Sequence, residues 1–479
     1  MQSSGDTRRG AQPGNLRIRR GRRTSQEITI RRVEIRRPRR PGVLLLIAGF
    51  VSLILVGTGL LMLPIASESR ESAPFMRALF TATSAVCVTG LVVVDTRETW
   101  SAFGEAVIML LFQLGGLGFM TSATLLLIVF RRRVSMSQRI TTSETAGQLG
   151  STPFQVLIRR IVLVTLAIEA VGFLLLVPSF AIHDGALGVE QLWRSLFTAV
   201  SAFNNAGFDI EGGGSSLSAY DQNPGVLGAV ALLTFIGGIG YAVWWDVWRH
   251  RTWAPLQLNT KIVLSTSAVL IPLGAVVMLG SEALTPGMLH HLPLSESMPV
   301  TIFESVYART SGFTAFDLSR AHDETVLVLM ALMFIGGASG STAGGVKVNT
   351  FTVLFFTIIS STRGEEHVSA FNREIAWRQV NRALSVALLS VAIVASITFF
   401  LAIMTEAPLV VVMFEAVSAF ATCGLSMGFT GSLSELPQGL IVFTMFIGRL
   451  GPLTFALALA ERFEARQRLR YPEGEINIG

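Results

Sequence analysis

The chain repeats one pattern four times. Residues 80 to 90 read FTATSAVCVTG, residues 197 to 207 FTAVSAFNNAG and residues 414 to 424 FEAVSAFATCG, while residues 303 to 312 read FESVYARTSG and are one residue shorter. The glycines that close the four copies, Gly90, Gly207, Gly312 and Gly424, lie 117, 105 and 112 residues apart. Self-similarity at a near-constant spacing marks a repeated structural unit. Each copy is a short apolar segment that ends in a small or hydroxyl-bearing residue, then Gly, then Leu or Phe.

Composition supplies the solvent for these units. The chain is 51% hydrophobic and only 15% charged, against the roughly 25% charged of soluble domains, so it reads as a polytopic membrane protein whose main partner is lipid and not nucleic acid. At membrane depth, non-helical backbone survives only where it is buried in protein or lines a watery cavity. Four glycine loops around one axis would present rings of carbonyl oxygens able to replace a cation's water shell. Glycine suits a loop that aims successive carbonyls one way, because it enters positive φ without steric cost. Cys87 and Cys423 each precede a repeat glycine, too few for a disulfide framework, and read as small residues packed behind the loops.

Residues 1–42 carry thirteen arginines against Asp6, Glu27 and Glu34, a basic tail expected to lie against anionic lipid on the cytoplasmic face. The apolar run from Val43 to Pro64 is too long for a signal peptide and reads as a first transmembrane span. Repeat 1 (43–133) then has a short helix opening near Pro74, the loop at Gly90, and a span over 103–130. Repeat 2 (134–251) uses 157–182, 192–204, Gly207 and 225–248. Repeat 3 (252–363) uses 261–280, 299–309, Gly312 and a long segment over 326–359. Repeat 4 (364–465) uses 380–404, 408–421, Gly424 and 438–460, before a C-terminal tail (466–479). Segments of about 20 apolar residues cross a bilayer and those of about a dozen do not, so the short helices are expected to be re-entrant, with Pro74, Pro299 and Pro408 in their first turns.

Arginine-rich ends follow the second span of every repeat, at Arg131 to Arg133, Arg249 to Arg251, Arg363 and Arg462 to Arg470. By the positive-inside rule this predicts eight crossings with both termini cytoplasmic and the re-entrant loops opening outward. Asp95, Asp209 and Asp317 follow their glycines closely; they either raise the cation concentration at the outer mouth or simply solvate an outer loop.

A second fourfold pattern lies in the second spans: Gly115-Gly-Leu-Gly118, Gly237-Gly-Ile-Gly240, Gly336-Gly-Ala-Ser339 and Gly448-Arg-Leu-Gly451. Small residues let helices approach closely, which suffices for repeats 1 and 2. In repeat 4, Arg449 interrupts an apolar span, where a charge faces the bundle interior, a water-filled cavity or a structural partner. Glu169 is likewise mid-span, with no partner legible. In repeat 3, residues Gly336, Gly337, Ala338, Ser339, Gly340, Ser341, Thr342, Ala343, Gly344 and Gly345 hold five glycines, each costing about 1 kcal/mol relative to alanine inside a helix. The span should break there, as a movable constriction or as a rigid kink filling a gap.

Together these features resemble the Trk/Ktr/HKT superfamily of cation transporters, and most nearly its KtrB-type membrane subunits, since no extra helix pair precedes the first repeat. The resemblance covers residues 43–460. It implies an all-α membrane protein of four tandem M1–pore loop–M2 repeats around a pseudo-fourfold central pore, with the third M2 broken by the glycine-rich loop. It further implies potassium as the transported ion, bound by a filter at Val88, Thr89, Gly90 and Leu91, at Asn205, Ala206, Gly207 and Phe208, at Thr310, Ser311, Gly312 and Phe313, and at Thr422, Cys423, Gly424 and Leu425. The loop 336–345 and Arg449 would restrict the pore below it. Members of this kind are similar to homodimers in the cell membrane seated on a cytoplasmic ring of KtrA-type nucleotide-binding subunits, and several are sodium-stimulated. The chain has no Rossmann-type pattern of its own, so no organic cofactor is expected in it and any regulator is a separate protein. The segment Tyr471 to Gly479 is expected to fold back on the partner subunit. Each loop keeps one glycine where tetrameric potassium channels have two, and Asn204, Asn205 and Arg309 break the fourfold symmetry, which leaves a mixed K⁺/Na⁺ transporter of the Trk/HKT kind as the alternative. A reading from another class, an intramembrane hydrolase using Ser339, would need a histidine within reach, and all six histidines fall in loops or at span ends.

Overall fold

Repeat 1 folds as α1 (Pro41–Leu61), α2 (Phe75–Cys87) and α3 (Ala102–Arg132). Repeat 2 gives α4 (Phe154–Asp184), α5 (Val189–Asn204), α6 (Pro224–Ile239) and α7 (Tyr241–His250). Repeat 3 gives α8 (Leu258–Glu282), α9 (Leu294–Tyr307), α10 (Asp323–Phe334) and α11 (Val348–Thr362). Repeat 4 gives α12 (Trp377–Met404), α13 (Leu409–Ala421) and α14 (Glu435–Leu450). This computed structural model describes residues 41–132, 154–213, 216–221, 223–283, 287–290 and 292–451, all but Pro41 within the unit Gly42–Gly479. The expectations for the arginine tail, the 133–153 join and the C-terminal tail lie outside these residues. Among the described residues the only paired strands are Ser369–Ala370 and Arg373–Glu374, an antiparallel hairpin between repeats 3 and 4.

Helix starts follow local chemistry. Pro74 and Pro408 are the N-caps of α2 and α13, and Asn223 caps α6 by accepting from Gly225 N (3.1 Å) and Val226 N (3.2 Å) ahead of Pro224. Proline suits the first turn because the N–H it lacks would have no partner there. Pro299 departs from the expectation: α9 begins at Leu294 behind Pro293, so Pro299 lies inside the helix, where it deprives the Ser295 carbonyl of its donor.

Among the described residues three helical stretches, Ile158–Asp184, Leu258–Glu282 and Trp377–Met404, are long and apolar enough to cross a membrane. They present Leu166, Leu174, Val269, Val276, Leu388, Phe399 and Ile403 outward. The short helices show the reverse distribution: from Phe80 to Cys87, Phe197 to Asn204 and Phe414 to Ala421 every residue is buried. In three repeats the second-span helix packs on its own short helix: α3 on α2, α6 on α5 and α14 on α13. The same elements also pack on the next repeat, with α3 against α5, α6 against α9, α10 against α13 and α14 back against α2. The fourth contact closes a cycle, so the four units share one centre.

The second span of repeat 2 is not one helix over 225–248. Pro224–Ile239 and Tyr241–His250 are bent by 95° at Gly240, whose φ of +80° interrupts the helix. Gly451 of repeat 4 takes the same region, at φ +85°. The last glycine of this pattern is a helix breaker in both repeats, a role beyond close packing.

Candidate functional site

The ends of the short helices converge on the shared centre. In repeats 1, 2 and 4 the helix stops at a left-handed residue, Val88 (φ 56°), Asn205 (φ 58°) or Thr422 (φ 48°). The next N–H then turns back: Thr89 to Ser84 O (2.8 Å), Ala206 to Ser201 O (2.8 Å) and Cys423 to Ser418 O (3.0 Å). A β-branched residue such as Val88 rarely adopts this region, and the surrounding contacts hold it there. Repeat 3, one residue shorter, turns without a left-handed residue, through Thr310 N and Ser311 N to Tyr307 O (3.0 and 2.9 Å).

All four closing glycines have positive φ, at +89° for Gly90, +69° for Gly207, +69° for Gly312 and +97° for Gly424. They are neighbours in a ring. A β-carbon on Gly90 would overlap Ala206 O, on Gly207 it would overlap Ser311 O, on Gly312 Cys423 O, and on Gly424 Thr89 O; the next glycine's Cα would lie 3.0, 3.2, 2.8 and 3.0 Å away in turn. Each carbonyl met is that of the residue before the next repeat's glycine. Side chains from the helices brace the turns: Ser84 Oγ accepts from Gly90 N and Ser418 Oγ from Gly424 N, both at 3.1 Å, while Ser201 Oγ donates to Phe208 O at 2.7 Å. Cys87 and Cys423 are free and buried, and the Cys423 thiol donates to Ala308 O at 3.1 Å. Leu91, Phe208, Phe313 and Leu425, which follow the glycines, are buried. Arg309 is directed away from the turn, donating to Ser267 Oγ on α8 at 3.2 Å.

The glycines of the second spans explain the close approach. A β-carbon on Gly115, Gly237 or Gly448 would overlap Val86 O, Phe203 O or Phe420 O, in each case the residue four before that repeat's closing glycine. The second position looks to the next repeat: Gly116 lies against Asn204, Gly238 against Thr310, and Arg449 reaches Gly115 O at 3.4 Å.

Between α10 and α11 the chain forms a loop closed at its base by Gly336 N to Val346 O (2.9 Å) and Val348 N to Gly337 O (3.1 Å). The Gly240 break leaves carbonyls for it. Ala338 N donates to Gly238 O (2.9 Å) and Thr342 N to Gly237 O (3.4 Å), and Gly240 lies against Gly340. Thr342 is held from two facing repeats. Its hydroxyl bonds the Asn205 amide at 2.5 Å and its carbonyl accepts from Arg449 Nη1. Gly344 packs against Ala421 and Thr422 of repeat 4, and Ser341 Oγ donates to Ala338 O at 2.7 Å. Positive φ is confined to Gly340 (+83°) and Gly345 (+67°); Gly336, Gly337 and Gly344 are instead glycines of close approach, the nearest atoms to a β-carbon being backbone or short side chains. Repeats 2, 3 and 4 thus meet at Thr342, and Arg449 ties repeat 1 to the same point.

Several contributors were not legible in the sequence. Lys347 folds its ammonium onto Ala343 O (2.5 Å) and Gly344 O (3.1 Å), bracing the loop from within. Glu169 has its partners in Gln113 Nε2 and Asn204 Nδ2, each at 3.1 Å; of these only Asn204 had stood out, as a break in the fourfold pattern. Glu169→Ala should destabilise the protein by about 1–3 kcal/mol, because the buried Asn204 amide and the half-buried Gln113 amide each lose an acceptor. A lowered thermal midpoint in detergent is the expected reading, and an unchanged midpoint would contradict the network. Beyond the closing glycines in the chain, Asp95 accepts from Glu98 N (3.1 Å) and Asp317 from Ser319 N (3.0 Å), so both serve as local caps. The Ser319 hydroxyl, 2.7 Å from Asp317, holds that carboxyl below its usual range. Ser339 donates its N–H to Asn349 Oδ1 (3.1 Å), and no hydrogen bond joins it to a histidine among the described residues.

The chain is 37% identical to the Ktr system potassium uptake protein B of Bacillus subtilis over 435 residues, 90% of this chain and 95% of that one. Its identity to the protein of the same name from Vibrio alginolyticus is 37% over 445 residues, covering 92% and 95%. It is 35% identical to the potassium/sodium uptake protein NtpJ of Enterococcus hirae over 467 residues, 94% of this chain and all of that one. The fold is similar to the crystal structure of the potassium transporter TrkH from Vibrio parahaemolyticus, with a TM-score of 0.69 at 14% identity, covering 90% of this chain and 87% of that one. A family model described as TrkH, cation transport protein, matches residues 28–467, and the chain belongs to that family.

Proposed function

We propose that the chain carries K⁺ into the cell across the cell membrane through the ring of four glycine loops, with the loop 336–345 and Arg449 as the constriction on its cytoplasmic side. The observation that carries this reading is the cyclic contact of Gly90, Gly207, Gly312 and Gly424, all at positive φ, which gathers four sets of backbone carbonyls where a dehydrated cation needs oxygen ligands. Relatives named as potassium uptake proteins support the choice of ion. In this reading each repeat contributes two crossings and one re-entrant helix, both termini are cytoplasmic, and the loops after the glycines open outward. A movable loop tied to three repeats is suited to control by a separate cytoplasmic nucleotide-binding subunit beneath a homodimer. Mixed K⁺/Na⁺ transport is the second reading, favoured by the single glycine per loop and by a relative named for both ions.

Expression in a bacterium lacking potassium uptake should restore growth at low external K⁺, and added Na⁺ should stimulate it. Growth that depends on Na⁺ alone, or no rescue by protein present in the membrane, would overturn the assignment.

A further inference from the structure

The four short helices carry a chemical asymmetry one residue after their shared phenylalanine. Phe80 and Phe197 are followed by Thr81 and Thr198, whereas Phe303 and Phe414 are followed by Glu304 and Glu415. Both carboxylates are fully buried, and among the described residues neither enters an ion pair. An acid at such a depth is expensive, and threonine serves the same helix position in the other two repeats. The carboxylates instead reach the chain just beyond the closing glycine. Glu304 Oε2 accepts from Ala315 N at 3.0 Å, and Glu415 Oε2 bonds Ser426 Oγ at 3.0 Å while its other oxygen bonds the Thr430 hydroxyl. Ser426 Oγ in turn accepts from Gly428 N at 3.2 Å. A threonine oxygen ends two bonds sooner and does not span this gap.

We propose that Glu304 and Glu415 are positioning residues that fix the outgoing limbs of the glycine loops in repeats 3 and 4, making that half of the ring the stiffer one and setting the preference for K⁺ over Na⁺. The inference rests on the ion path proposed above. What the limb needs from each side chain is a hydrogen-bond acceptor of this length, so glutamine serves where alanine does not. Loosening the limb lets the carbonyls of Ser311 to Phe313 and Cys423 to Leu425 follow a smaller ion inward, which erodes discrimination before it stops transport.

The test is rubidium uptake by vesicles holding the purified protein, competed by K⁺ or by Na⁺. Glu304→Ala and Glu415→Ala should each lower the K⁺ preference about fivefold to tenfold, the scale set by losing one or two buried hydrogen bonds. Glu304→Gln and Glu415→Gln should stay within about twofold of the wild type, as should Thr81→Ala and Thr198→Ala. Where an alanine variant does not purify as a single species, Ser426→Ala and Thr430→Val remove the partners of Glu415 from the other side and should lower the preference about threefold. Unchanged preference in the alanine and Ser426 variants, or equal losses in the glutamine variants, would overturn the proposal. Gly424→Ser in the same assay separates the two levels. If it loses preference while the Glu304 and Glu415 variants keep it, only the positioning role falls; if it too keeps its preference, the ion path falls with it.

Discussion

Serine at any of the four ring glycines is expected to lower the preference for K⁺ over Na⁺ by more than about tenfold, since a ring that discriminates by carbonyl placement loses it when one member moves. Two costs act together. A side chain at φ between +69° and +97° disfavours the native backbone by about 1–2 kcal/mol. The added β-carbon also overlaps the carbonyl of the neighbouring repeat, Thr89 O in the case of Gly424 and Ser311 O in the case of Gly207. The atom struck is backbone on a buried turn, braced by Ser84 for Gly424, by Ser201 for Gly90 and by Ser418 for Gly312, and held through Tyr307 O for Gly207, so relief comes only by moving the neighbour's carbonyl. Because the contacts run in a cycle, all four variants should behave alike, even though repeat 3 builds its turn differently. Competition of rubidium uptake by Na⁺ is the measurement. Wild-type preference in all four variants would remove the ring from the ion path.

The second large effect is expected from Arg449→Ala, which should raise rubidium uptake about tenfold, as a barrier lower by about 1.4 kcal/mol would give. The guanidinium is buried and donates both to Thr342 O and to Gly115 O, so it pins the loop to repeats 1 and 4 and, on the ion path proposed above, places a positive charge beside the cation. Its removal acts on both. Shortening the loop within 339–343, which keeps the closure of Gly336 on Val346, should raise uptake without altering the charge. Arg449→Lys keeps the charge but lacks the fork that reaches two carbonyls, and should fall between. Equal uptake by all four proteins at matched levels would make the loop a packing device.

Much of the site was legible because it is written four times. The spacing of Gly90, Gly207, Gly312 and Gly424 and the glycine-rich break in the third repeat are local patterns, and local backbone chemistry decides both: positive φ at the four glycines, and a helix that ends at Phe334 and resumes at Val348. What escaped reading depends on neighbours far apart in the chain. Gly240 looked like Gly118, yet it breaks its helix, at φ +80° and at the point where Gly340 of another repeat lies against it. Pro299 looked like a helix start, and Pro293 takes that place. The partners of Glu169 come from two other helices, and those of Arg449 lie 107 and 334 residues away. Glu304 and Glu415 fell inside the repeated pattern and passed as ordinary variation, because their partners follow the glycine and belong to no motif.

The most direct test of the account is the position of the ion itself. Crystals of the protein grown with rubidium in place of potassium should give an anomalous peak on the axis of the ring, within coordinating distance of carbonyls from Thr89, Ala206, Ser311 and Cys423 or the residues beside them. Ordered rubidium bound elsewhere in the membrane-embedded part, with none inside the ring, would contradict it.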